Sequence, residues 1–146
     1  MTFSRFRLGA IIALSFAAGA LLSTQWTRVQ KVRADSNRVF ELRIYHTNPG
    51  RLPALTARFR DHTESLFKRH GLTSVGYWTP QDSPKSGNTF IYILAHDSRE
   101  AATKRWAEFQ ADPEWKAVYK ASEADGAILE GLESTFMVPT DFSALK

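Results

Sequence analysis

A single α+β domain, a four-stranded antiparallel sheet with helices packed on one face, is what residues 35–146 predict. Three observations carry this. Residues 39–46 (VFELRIYH) alternate strictly between two faces, as a half-buried strand does. Residues 51–70 repeat Leu52, Leu55, Phe59, His62, Leu66 and His70 at three- or four-residue spacing, the period of a helix. Turn residues then divide the remainder into segments whose order reads β-α-β-β-α-α-β.

In the first strand Phe40, Leu42 and Ile44 share one face, and Glu41, Arg43 and Tyr45 share the other. Asn48-Pro49-Gly50 closes it as a turn. On the helix that follows, Arg58, Arg60, Asp61, Lys68 and Arg69 are expected on the outer faces, and Gly71 ends it. Residues 73–79 (TSVGYWT) read as a strand, 80–88 as a turn-rich connection, and 89–96 (TFIYILAH) as a near-continuous apolar, central strand. Ser98 is the N-cap of a helix from Arg99 to Gln110, with Ala102, Trp106 and Phe109 inward. Asp112-Pro113 starts another, with Trp115, Val118 and Tyr119 on its apolar side. Residues 127–138 form the last strand, stopped by Pro139.

Four strands and two helical layers in this order match the ferredoxin-like plan. Helices cover one sheet face, and the sequence leaves open whether the uncovered one carries Glu41, Arg43 and Tyr45 or the opposite set. A second copy of the chain is the expected cover, giving a homodimer joined face to face.

Residues 1–34 are different in kind. Arg5 and Arg7 precede fifteen uncharged residues, 8–22, the pattern of a secretory signal or an N-terminal membrane anchor. The domain is expected to be exported or membrane-anchored, although Arg28, Lys31 and Arg33 after the apolar run oppose its export. These three also suit a membrane-surface adaptor. The leader holds five cations and no acid, which leaves residues 35–146 at −1 within a chain of +4. A near-neutral domain lacks the footprint of a nucleic-acid binder, so no nucleic-acid partner is expected. The chain has no cysteine, which excludes disulfides, thiolate zinc sites, iron–sulfur clusters and cysteine nucleophiles.

The motifs converge on a resemblance. Glu41-Leu42-Arg43-x-Tyr45, Asn48-Pro49-Gly50, Gly76-Tyr77-Trp78 and Asp112-Pro113-Glu114-Trp115 together resemble the NIPSNAP family over about residues 39–140. The resemblance implies a dimeric α/β barrel, each half a ferredoxin-like sheet, of undefined biochemical activity and acting through binding or assembly. The barrel architecture also hosts haem-dependent enzymes and cofactor-free monooxygenases, although fold does not imply function.

His62 is the candidate catalytic residue. On the apolar stripe it faces the sheet, as an acid–base group or haem ligand, or as a core histidine bonded to a neighbour. Arg43, Tyr45, His62, Trp78, Tyr92 and Trp106 are the pocket candidates, with Trp78 and Trp106 between sheet and helices, and a small-molecule ligand is a candidate partner. The rings alternatively fill a small core, and Trp115 docks its helix. His46 and His96 end strands and would be neighbours if those strands pair, or are ordinary surface residues. Glu130 is a pairing candidate for Arg43 across the first and last strands. No HxH, HExxH, nucleophile elbow or phosphate loop occurs, so neither metal nor cofactor is expected.

Overall fold

The computed structural model describes residues 38–146. The expected leader and its membrane attachment lie outside the described residues. Strand β1 (Val39–Thr47) pairs antiparallel with β3 (Thr89–His96) on one side and β4 (Leu129–Met137) on the other. Strand β2 (Thr73–Trp78) flanks β3, so the order is β2-β3-β1-β4. This is the ferredoxin-like order expected.

The first helical layer contains a phase change. Helix α1 (Leu52–Arg58) runs into a π-turn (Phe59–Thr63) and then α2 (Glu64–Arg69). The Glu64 N–H donates to the Phe59 carbonyl five residues back rather than four. The extra residue rotates everything beyond it. Phe59 is followed on the inner face by Thr63, Leu66 and Phe67, all buried, and His62 turns out to solvent. The Thr63 hydroxyl donates to the Arg58 carbonyl at 3.1 Å, satisfying an oxygen next to the irregular turn. Gly71, at φ +69°, ends the layer in the left-handed region that glycine adopts without strain.

The second layer is α3 (Arg99–Ala111) and α4 (Pro113–Ser122). Ser98 caps α3, its hydroxyl accepting from the Ala101 N–H at 3.1 Å. Asp112 caps α4: Oδ1 accepts from the Glu114 N–H at 2.7 Å, while Oδ2 lies 2.7 Å from His70 Nε2. One carboxylate thus starts α4 and ties it to the end of α2.

The helices cover the Glu41, Arg43 and Tyr45 face of β1. Phe59 is the centre of that core, with ring centroids 4.8 Å from Phe90, 5.2 Å from Tyr92 and 6.1 Å from Tyr45. Truncating a buried ring of this kind costs about 3–5 kcal/mol. The other face carries the more apolar set. Leu42 pairs with Ile93 and Ile44 with Ile91, and all four are partly exposed. Trp78, opposite Ile91, lies on this outer face and is 47% exposed, not between sheet and helices as expected. A register shift between Ser74 and Gly76 precedes it, and its ring packs back over Gly76, where an added Cβ would sit 2.8 Å from Cη2.

Candidate functional site

Between sheet and helices lies a half-open cavity of about 330 Å³. Strand β1 supplies Arg43 and Tyr45. The π-turn and the residue before it supply Arg58, Phe59 and Thr63, and the second helical layer supplies Trp106, Trp115 and Tyr119. The lining is mostly rings, with two cations among them.

Arg43 is fixed on three sides. Its Nη1 donates to Glu41 Oε1 at 2.9 Å, and its guanidinium lies 4.4 Å from the Trp106 ring centroid and 5.6 Å from that of Tyr45. Glu41, only 2% exposed, is the hub of the floor. Its Oε1 also accepts from the Ser134 hydroxyl at 2.8 Å, and its Oε2 accepts from Trp106 Nε1 at 2.7 Å and lies 3.1 Å from His96 Nε2. Burial alone would raise this carboxyl. The bonds from His96, Trp106 and Ser134 and the charge of Arg43 outweigh it and lower the pKa to about 2. A carboxylate held so far down is a poor proton acceptor at neutral pH. Tyr92, fully buried, lies behind Tyr45, the two hydroxyls 2.8 Å apart. Burial pushes its phenol well above the usual range, with the Tyr45 hydroxyl adding to the effect.

Arg58 was expected on an outer face. It is 4% exposed and lines the cavity instead. Its Nη1 donates to Ser122 Oγ at 3.0 Å and Glu123 Oε1 at 3.1 Å, and its guanidinium lies 5.6 Å from the Trp115 centroid and 5.4 Å from that of Tyr119. Glu123 Oε2 in turn accepts from the Ile128 N–H at 2.9 Å, which ties the end of α4 to the approach to β4.

Of the six pocket candidates, Arg43, Tyr45 and Trp106 line the cavity and Tyr92 adjoins it. His62 and Trp78 do not. His62 is exposed beside a shallow groove with Ala54, Ala117 and Val118, on the far side of the π-turn from the sheet. His46 and His96 are not neighbours, because β1 and β3 run antiparallel and place them at opposite ends: His46 is opposite Thr89, and His96 opposite Val39. His96 is buried against Glu41, while His46 lies 2.8 Å from Glu133. β1 and β4 are adjacent as expected, yet the residue opposite Arg43 is Ser134, and its ion pair is with Glu41 rather than Glu130.

This architecture can now be compared with known proteins. Residues 40–144 match the NIPSNAP family model. The chain belongs to the NIPSNAP family. Its fold is similar to that of a NIPSNAP family protein of unknown function from Agrobacterium tumefaciens, 28% identical over 76% of this chain and 96% of that one, with a TM-score of 0.66. A second NIPSNAP family protein from the same organism is 22% identical over 75% of this chain and 100% of that one, at a TM-score of 0.66. An uncharacterised NIPSNAP-like domain protein from Burkholderia xenovorans is 19% identical over 74% and 90%, at a TM-score of 0.65. The last two are likenesses of fold alone. No curated protein matches the chain.

Within the NIPSNAP domain, the cavity residues that sequence reasoning did not assign to a pocket include Arg58, Phe59, Thr63, Trp115 and Tyr119. Trp115 and Tyr119 had been placed together on one helix face, and that spacing was the available signal. Arg58, three residues after Leu55, had a weaker one.

Proposed function

We propose that this NIPSNAP protein is a homodimeric binding module that holds a small organic molecule in the cavity between its sheet and its helices, and that its N-terminal segment places it at a membrane or beyond it. The observation that supports binding is the cavity itself: about 330 Å³, near the lower end of small-ligand pockets, walled by rings and by guanidiniums on fixed mounts. Its polar groups suit holding better than turnover. Glu41 is committed to its donors and strongly acidic, the Tyr45 and Tyr92 hydroxyls are bonded to each other, and His62 lies outside. The uncovered sheet face supports the second copy. Leu42, Ile44, Ile91 and Ile93 form an apolar centre, and the His46–Glu133 pair stands at its border.

The test is a fragment screen read on the side-chain indole N–H resonances of Trp106 and Trp115. Binding in the cavity shifts both together and leaves the indole of Trp78 on the outer face unmoved. A broad fragment set that moves neither indole would sink the binding reading.

A further inference from the structure

We infer that the cavity selects a small organic monocarboxylate, its carboxylate held by Arg43 and Arg58 and its apolar body lying among Trp106, Trp115 and Tyr119. This rests on the binding reading above and names the class of ligand.

The two guanidiniums reach the same cavity from independent elements, one from the middle of β1 and one from the end of α1. Each is turned inward against the ordinary preference of arginine for the surface, and each keeps its charge at any physiological pH. Each is held by one terminal nitrogen. Arg43 engages Glu41 through Nη1, and Arg58 engages Ser122 and Glu123 through Nη1. In both, the Nε–H is unpartnered but closed off by the surrounding protein, whereas Nη2 makes no hydrogen bond among the described residues and is not closed off. Each arginine therefore offers the cavity a free terminal nitrogen, which donates a charge-assisted hydrogen bond to a carboxylate oxygen.

Their existing partners leave room for an anion. Glu41 divides its two oxygens among Arg43, Ser134, His96 and Trp106, and Glu123 divides its own between Arg58 and the Ile128 N–H. Neither carboxylate is given wholly to its arginine. The same accounting limits the anion's charge. Each arginine already has a formal counter-ion, so a monoanion adds one negative charge shared between two guanidiniums. A dianionic phosphate adds two within a ring-lined cavity, at a larger desolvation penalty. The ring walls select for an apolar body and the volume for a small one. Arg58 is the last residue before the π-turn, and irregular helical turns of this kind recur at functional sites.

The test is calorimetric titration of the full chain in mild detergent with phenylacetate, indole-3-acetate and octanoate, each beside its neutral amide, and with inorganic phosphate. At least one acid is expected to bind ten-fold or more tightly than its amide, and phosphate not to displace it at equal concentration. Arg58→Lys and Arg43→Lys keep the charge and remove the free guanidinium nitrogen. Each is expected to weaken the acid at least ten-fold while leaving the amide within two-fold. The comparison of acid with amide needs no variant, so it stands even if a variant misfolds. Amides that bind as well as their acids overturn the carboxylate assignment and leave the binding reading intact, as does phosphate that displaces the acid. If no acid and no amide binds, the carboxylate assignment falls, and the fragment screen on the Trp106 and Trp115 indoles decides the binding reading separately.

Discussion

The indole Nε1–H of Trp106 donates to Glu41 Oε2 at 2.7 Å, joining helix α3 to strand β1 across the floor of the cavity. That carboxylate also holds Arg43, so a helix, a strand and the cavity's cation depend on one acid.

Replacing the acid tests this dependence. Glu41→Gln leaves Arg43 buried beside a neutral amide and is expected to cost about 3 kcal/mol, the lower range for breaking one half of a buried pair. The pH dependence has a fixed sign. The folded pKa of about 2 lies below the ordinary value of 4.5, so Glu41 stabilises the fold fully above that value. The contribution is lost as pH falls from about 4.5 towards 2. Urea midpoints across this window should fall steeply for the wild type and less steeply for Glu41→Gln. Parallel slopes would refute the role assigned to Glu41.

The π-turn gives opposite expectations for adjacent residues. Thr63→Val removes the buried bond to the Arg58 carbonyl at nearly constant volume, and should lower stability by about 1–2 kcal/mol. His62→Ala, on the exposed side, should stay within about 0.5 kcal/mol of wild type. Denaturant titration distinguishes this from a helix of regular phase, in which the sizes of the two effects would be reversed.

That contrast marks where the sequence stops being legible. Strand alternation, the Ser98 and Asp112 caps and the Gly71 stop are local signals, and all of them lie where the pattern placed them. The π-turn is not local. Its phase is set by Phe59 and Phe67 packing on Tyr92, so a three-residue spacing that pointed His62 inward was read with the wrong pitch. The orientation of β1 was equally hidden. Apolar strength alone favours burying Phe40, Leu42 and Ile44 under the helices, whereas Glu41 and Arg43 can be buried there because they pair with each other and Glu41 also has Ser134, Trp106 and His96 as partners. Arg58 was unreadable as a cavity residue until its partners Ser122 and Glu123 came near, more than sixty residues along the chain.

The dimer proposed above makes a prediction for the uncovered sheet face. Ile93→Asp puts a charge between Leu42 and the β2 edge without touching the helix-side core. If the proposed dimer forms through this face, light scattering should give a dimer for the wild type and a monomer for Ile93→Asp at the same concentration, with the far-ultraviolet circular dichroism unchanged. A variant that remains dimeric would place the contact elsewhere.

Gly76 offers a double-mutant cycle. Gly76→Ala pushes a methyl against the far end of the Trp78 ring, which can swing away, so the cost should be about 1 kcal/mol. In a Trp78→Ala background the same substitution should cost nothing measurable. An undiminished cost would trace it to the backbone rather than the ring.

The π-turn also bears on the order in which the chain acquires its shape. It divides the first helical layer into segments of 7 and 6 residues. Isolated helices shorter than about 12 residues are marginal in water, even in favourable sequences. A peptide spanning 51–70 should therefore be largely unstructured alone, each half requiring the rings of β3 as a template. Helix and sheet are then expected to condense together, and the burial of Arg58 to depend on that docking.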